Sequence, residues 1–328
     1  MGISMKKAFK KNFIKLTAVL LALSVSVCLT ACEKEEKSAY QIWLEAGYTG
    51  DEEDFLEWIK NASALNENPH IKSIGHGGYW EAPENTLSAY KMAKQRGFEY
   101  VECDVTWTKD GVPVLLHDDA INRTARNADG SELKKEIYIT DITYEEALEY
   151  DFGCWKAAKY KGEPIPTFEE FIQLCKQTGL LPYVEIKPEA TDEQLDDLLY
   201  TVERYGITEN TTWIDANLKV LKSISQKEPK ARLGVLSNVW ANRFIEDIKM
   251  LRTPQNEVFM NLMYSAVTEE VVGKLIQHDI PLEVWTVDDT ESMINVDGYV
   301  SGFTSNRLTA DVVFCEEGLK PGKVKHGK

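Results

Sequence analysis

Tyr100-Val101-Glu102-Cys103-Asp104-Val105 is a short β-type run with acids at alternate positions, and Val112-Pro113-Val114-Leu115-Leu116 follows it closely, ending against His117-Asp118. Residues two apart on a strand share a face, so Glu102 and Asp104 point together while Cys103 points the other way, toward covering helices, as an ordinary buried thiol. The same pattern extends outward in both directions. Ile71 to Gly75 precedes it, and Leu181 to Ile186, Thr211 to Ile214, Arg232 to Leu236, Val258 to Leu262, Leu282 to Val287 and Tyr299 to Phe303 follow. Amphipathic stretches lie between most of them, such as Thr86 to Gln95, Phe168 to Gln177, Asp192 to Tyr205 and Glu269 to Gln277. Strands alternating with helices predict βαβ units, and eight or nine runs predict a closed (β/α)8 TIM barrel of the α/β class. The interval from Val105 to Val112 is too short for a crossover helix, so the barrel is expected to be irregular there. Nine runs for eight places also means that one run is not a barrel strand.

In such a barrel the C-terminal strand ends carry chemistry. His76 follows the first run, Glu102 and Asp104 end the second, His117 follows the third, and Glu185 with Lys187 ends the fourth. Three carboxylates converging without partners repel, so a bound cation is expected, and an all-oxygen set favours Mg²⁺ or Ca²⁺ over zinc. Two histidines flanking that cation supply a proton donor and a proton acceptor. Either histidine alone reads more often as a hydrogen-bonded structural residue than as a catalyst; at successive strand ends beside the carboxylates, the two together read as catalytic. Glu84 either reaches the site or caps the helix beginning near Asn85, Asn85 reads as structural, and Arg123 either meets a phosphate or forms a surface ion pair.

Gly75-His76-Gly77-Gly78, Ala82-Pro83-Glu84-Asn85-Thr86-Leu87, Glu102-Cys103-Asp104, Thr108-Lys109-Asp110-Gly111, His117-Asp118, Arg123-Thr124, Ile165-Pro166-Thr167, Glu185-Ile186-Lys187 and Val284-Trp285-Thr286-Val287 occur in an order that resembles the glycerophosphodiester phosphodiesterase family. The resemblance spans about residues 71 to 313 and implies an irregular TIM barrel of the PLC-like phosphodiesterase type. It implies a metal-dependent hydrolase cutting a glycerophosphodiester into glycerol 3-phosphate and an alcohol. By that resemblance Glu102, Asp104 and Glu185 hold the metal, His76 is the general base and His117 the general acid. Lys187 binds the phosphate, Trp285 walls the glycerol, and about 118 to 166 is an insertion that partly covers the site; Glu84 and Arg123 stay candidate substrate contacts on the reading of the residues alone. Two departures are notable: Gly77 stands where the family usually has Arg, and near the C-terminus the usual Asp-Gly-Ile-x-Thr-Asp becomes Asp297-Gly298-Tyr299 and then Phe303-Thr304-Ser305-Asn306, with Asp288 where Asn is common. Two alternatives follow, a surface protein that binds glycerophosphodiester-type ligands without turnover, and a related phosphodiesterase acting on phospholipid or teichoic acid.

The first 31 residues carry Lys6, Lys7, Lys10, Lys11 and Lys15 and then an apolar run from Leu16 to Thr30. That length suits a signal-peptide core and falls short of the roughly 20 residues that span a bilayer. Leu29-Thr30-Ala31-Cys32 resembles a bacterial lipobox, which implies lipidation at Cys32 and an extracytoplasmic protein anchored to the cell membrane. Residues 32–38 read as a solvated tether, 39–62 as a short helical pair, and 70–315 as the barrel domain. The chain has a formal charge of −16, and without the leader about −21 on 297 residues. A field of that sign repels polyanions, so nucleic acid is not an expected partner, and a phosphate substrate needs a local cation. Cys103, Cys154, Cys175 and Cys315 match no zinc spacing.

Overall fold

The computed structural model describes residues 71–307, apart from 188, 189, 290, 291 and 293–299. These all belong to one compact unit, Asn68–Lys328. The leader, Cys32, the tether, the helical pair and Cys315 lie outside the described residues.

Eight parallel strands close a ring. They are β1 (Lys72–Gly75), β2 (Tyr100–Trp107), β6 (Leu181–Ile186), β7 (Thr212–Asp215), β8 (Arg232–Ser237), β9 (Val258–Met263), β10 (Leu282–Trp285) and β11 (Gly302–Ser305). Closure comes from β1, which pairs with β11 on one side and with β2 on the other. The ninth run, β3 (Pro113–Leu115), is the one outside the ring: it runs antiparallel to β2, with Trp107 opposite Pro113 and Val105 opposite Leu115. This is the expected irregularity. β2 extends past the barrel mouth, turns through Thr108–Gly111, and β3 brings the chain back down until the Leu116 N–H donates to the Asp104 carbonyl at 2.9 Å. His117 therefore reaches the mouth from a returning hairpin rather than from the end of a barrel strand.

The helices start where their caps dictate. Thr86 caps α1 (Leu87–Gln95), its side chain accepting from Ala89 N. After the insertion, with β4 (Arg126–Asn127), α2 (Tyr144–Ala147) and β5 (Tyr150–Asp151), Thr167 and Glu170 form a capping box on α3 (Phe168–Thr178). Thr191 and Gln194 do the same for α4 (Asp192–Arg204), which is followed by α5 (Leu218–Lys227), α6 (Arg243–Leu251) and α7 (Glu269–Gln277). Each reciprocal box satisfies donors that a helix start leaves open.

Alternation along β2 divides its side chains. Val101, Cys103 and Val105 are fully buried in the main core between strands and helices, as expected for Cys103, while Glu102 and Asp104 are buried on the opposite face, inside the ring. Lower in the ring, Ile74, Tyr183, Ile214 and Phe259 form an apolar plug. Arg232 crosses the Phe259 ring at 4.1 Å, and Glu283 accepts from Lys72, Tyr183 and Arg232. The lumen is thus filled from below, and the carboxylates stand at its open end. The insertion carries a core of its own, with Ile121, Ile139, Phe152 and Ile165 packed on Val114 and Leu116. It is fastened to α1 where Ser88 N and Oγ donate to the Glu163 carboxylate at 3.1 and 2.7 Å.

Candidate active site

The parallel register sets Asp104 beside Glu185, and Glu102 lies two residues below Asp104 on the same face. One oxygen from each of Glu102, Asp104 and Glu185 falls within 4.8 Å of the others. Glu102 Oε2 accepts the Gly77 N–H at 2.9 Å, whereas Glu102 Oε1 is buried with no partner. Burial first, then the charges of Asp104 and Glu185, pushes the Glu102 carboxyl well above its usual range; Glu185 is raised by burial and by Asp104. Burial acts the same way on Asp104, but Lys187, the two histidines and Asn85 outweigh it, and its carboxyl is held below the ordinary value. A cluster of hard oxygen donors in which two buried atoms, Glu102 Oε1 and Asp104 Oδ1, lack a hydrogen-bond donor is what a divalent cation satisfies, so these residues fit Mg²⁺ or Ca²⁺.

Lys187, expected on a phosphate, lies among the acids: Nζ is 2.7 Å from Glu185 Oε1 and 3.2 Å from Asp104 Oδ1. Burial opposes its charge, but those two carboxylates hold the ammonium above its ordinary range. Its position lets it neutralise the cluster or turn to a bound phosphate.

Both histidines are oriented through Nδ1. The Asn306 amide donates to Asp288 Oδ2 at 2.5 Å, which turns its Oδ1 toward His76 Nδ1 at 2.9 Å. His117 Nδ1 lies 2.7 Å from Asp118 Oδ1. In each case Nδ1–H donates and Nε2 is left to accept or deliver a proton. Asp118 is in turn held by Arg123, whose Nε donates at 2.6 Å and brings the Asp118 carboxyl down to about 2.

Arg123 takes the ion-pair reading of the two the sequence offered, and its partner is Glu84. Arg123 donates to both Glu84 oxygens, at 2.8 and 2.5 Å, so the two meet each other and Asp118, and Thr86 rather than Glu84 caps α1. Asn85 has more to do than the sequence suggested, because its side chain donates to Asp104 Oδ2 at 2.7 Å from a left-handed backbone, φ 56°. Trp285 ends β10 at the mouth, half-buried, its indole Nε1 donating to the Asn261 carbonyl at 3.4 Å. Asp215 went unnoticed in the sequence although it is the last residue of a barrel strand. Its Oδ1 accepts from Asn217 N at 2.6 Å, its Oδ2 is buried and unpartnered, and burial pushes it up to about 7.

The turn after His76 is built on two glycines. Gly78 has φ +99°, and a Cβ there would stand 2.5 Å from Ala89 Cβ, so only glycine lets α1 approach this closely. Gly77 has φ +54° and offers its N–H to Glu102.

Comparison with known proteins gives a family match and a shared fold. The model of the Glycerophosphoryl diester phosphodiesterase family matches residues 75–309. A glycerophosphodiester phosphodiesterase of Caldanaerobacter subterraneus subsp. tengcongensis is 29% identical over 239 residues, covering 70% of this chain and 92% of that protein. Among solved structures, an Oleispira antarctica phosphodiesterase in complex with the product sn-glycerol-3-phosphate superposes with a TM-score of 0.64 at 23% identity, covering 75% of this chain and 95% of that one. A glycerophosphoryl diester phosphodiesterase from Parabacteroides distasonis gives 0.61 at 18% identity, covering 81% and 95%. The two structural likenesses speak to the fold.

Proposed function

The chain belongs to the glycerophosphoryl diester phosphodiesterase family, and from that premise we propose that it hydrolyses glycerophosphodiesters to glycerol 3-phosphate and an alcohol. The observation that carries this reading is the convergence of Glu102, Asp104 and Glu185 at the barrel mouth between two histidines that each present Nε2. The product held by the Oleispira antarctica phosphodiesterase supports the same product here.

Glu102, Asp104 and Glu185 would hold a divalent cation, which when bound supplies positive charge against the phosphate oxygens. His76 Nε2 removes the proton of the glycerol 2-hydroxyl as that oxygen bonds to phosphorus. His117 delivers a proton to the departing alcohol oxygen as its P–O bond breaks, and a cyclic phosphate results. In the second half His117 takes a proton from water, water oxygen bonds to phosphorus, and His76 returns its proton to the glycerol oxygen as the ring opens. The partners suit these roles, since Asp118 offers a carboxylate to balance a proton on His117 while Asn306 offers His76 only an amide oxygen. Lys187 turns from the carboxylates to the phosphate, and Trp285 walls the glycerol.

Glycerophosphocholine should yield glycerol 3-phosphate and choline, with loss of activity under chelator and recovery on adding Mg²⁺ or Ca²⁺, the better restorer naming the metal. No product with either ion would end this reading. The lipobox-like segment supports a membrane-tethered enzyme outside the cytoplasm, lipidated at Cys32. Cys32→Ala should release it from membranes or leave its leader uncleaved, with turnover unchanged.

A further inference from the structure

Beside His76 the catalytic face opens into a groove of about 330 Å³, and part of its wall is used neither by the proton transfers nor by the carboxylates. Trp80, from the loop after β1, and Trp155, from the insertion, bracket one cation: Lys156 Nζ lies 5.6 Å from each ring centroid. Trp155 is anchored by its Nε1, which donates to the Phe152 carbonyl at 2.9 Å, and the Trp80 backbone N–H donates to the Asn306 carbonyl at 3.0 Å. An ammonium over two indole faces is held in place without being neutralised.

The charges around it do not cancel. Arg307 also lines the groove, and among the described residues neither it nor Lys156 forms an ion pair; the Arg307 Nε donates to the Asp288 backbone carbonyl. Of the two acids on the wall only Glu84 is neutralised, by Arg123 through two hydrogen bonds, whereas Asp288 keeps its charge under three neutral donors, Asn306 N, Asn306 Nδ2 and Ser305 Oγ. Two cations, Lys156 and Arg307, therefore face one carboxylate. A locally cationic groove in a chain of formal charge −16 departs from the general field and selects an anion.

We infer that this groove is a second anion subsite, which takes a phosphate one glycerol unit away from the scissile one, with the connecting carbons against Trp80 and Trp155. The inference rests on the phosphodiesterase reading and adds to it the substrate class, diesters whose glycerol chain carries a second phosphate. A trimethylammonium head group is disfavoured, because the tethered Lys156 ammonium already occupies the space over both rings.

The test compares bis(glycerophospho)glycerol with glycerophosphocholine. Wild type should favour the doubly phosphorylated diester in kcat/KM by about tenfold, or 1.4 kcal/mol, and the preference should fade between about 50 and 500 mM salt. Lys156→Ala should remove that preference, lowering kcat/KM on the doubly phosphorylated diester while changing glycerophosphocholine less than about twofold, and Lys156→Arg should retain most of it. Equal losses on both substrates, or no loss on either, would overturn the subsite. Calorimetric titration with glycerol 1,3-bisphosphate and glycerol 3-phosphate reads the groove without turnover. The bisphosphate should bind about tenfold tighter to wild type and no tighter to Lys156→Ala; equal binding of both by wild type overturns the subsite. Tighter bisphosphate binding with no diester hydrolysed would sink the hydrolase reading and leave the subsite standing.

Discussion

Asn85 Nδ2 donates to Asp104 Oδ2 at 2.7 Å, while Asn85 Oδ1 receives the Asp104 backbone N–H at 3.2 Å and the Tyr90 hydroxyl at 2.8 Å. One side chain thus reads both the carboxylate and the strand that bears it, and a fully buried tyrosine of α1 fixes which way the amide faces. Such outer partners orient a ligand oxygen without touching the ion.

Asn85→Ala is therefore expected to weaken metal binding by about 10- to 100-fold with the fold retained. Asn85→Asp, which sets a like charge 2.7 Å from Asp104, should be worse despite its similar shape. Metal titration followed by calorimetry decides it, and wild-type affinity in both variants would remove Asn85 from the site.

Glu102→Gln separates the metal role from a structural one. The amide keeps the size of the side chain and relieves repulsion from Asp104 and Glu185, so the chelated protein should be no less stable than wild type. Metal affinity should drop by at least about tenfold, 1.4 kcal/mol, with most of the activity. Wild-type turnover at limiting metal would mean that Glu102 is not a ligand.

Arg123→Ala tests the chain that runs from Glu84 through Arg123 to Asp118 and His117. The pairs are partly exposed, so stability should change by no more than about 1 kcal/mol. Arg123 holds Asp118 down at about 2, and a lowered carboxyl contributes stability above its unfolded value of 3.8 that is lost as pH falls toward 2. Without Arg123 that carboxyl protonates at higher pH, so the acid limb of kcat should move upward while KM stays close to wild type. Arg123→Lys should rescue poorly, since an ammonium cannot span both carboxylates as the guanidinium does. An unmoved pH profile would make the cluster purely structural.

The strands were legible because alternation and apolar runs are local properties, and so was the division of β2 between Cys103 outward and Glu102 with Asp104 inward. That β3 leaves the ring was not legible. A short apolar run has the same composition whether it pairs parallel or antiparallel, and only the brief connection after Val105 hinted at a hairpin. The pairing of Arg123 with Glu84 and of His76 with Asn306 spans 39 and 230 residues, and the barrel's closure brings those partners together. Asp215 was hidden for a different reason. Its neighbours Ile214 and Ala216 mark an ordinary strand end, and its significance lies in burial, which a single sequence does not display.

Gly77→Arg addresses the departure from the family's usual residue. Gly77 adopts φ +54°, and a Cβ would sit 3.3 Å from Glu84 Cβ, so a larger side chain costs about 1 kcal/mol of backbone strain and displaces the Glu84 stem. The Gly77 N–H also leaves Glu102 if the turn shifts. A fall in kcat/KM of about tenfold is expected, 1.4 kcal/mol of transition-state stabilisation. A lower KM with kcat retained would show instead that the pocket simply lacked a phosphate contact.

Asp215 gives the pH dependence of the metal-free protein. Its carboxyl, 3.8 when unfolded and about 7 when folded, binds more protons in the native state throughout that interval. Stability therefore falls as pH rises from about 4 to 7, by up to about 4 kcal/mol for this group alone, because ionisation leaves a buried charge whose Oδ2 has no partner. The neighbouring Glu102 and Glu185 are raised as well and add slope of the same sign. Asp215→Asn removes one contribution and leaves those two, so under chelator it should be more stable than wild type at pH 7.5 and gain little at pH 4. Denaturant unfolding at both pH values reads the difference directly. A variant equally destabilised at both would mean that Asp215 serves packing, through its hydrogen bond to Asn217, rather than storing a titratable charge at the barrel mouth.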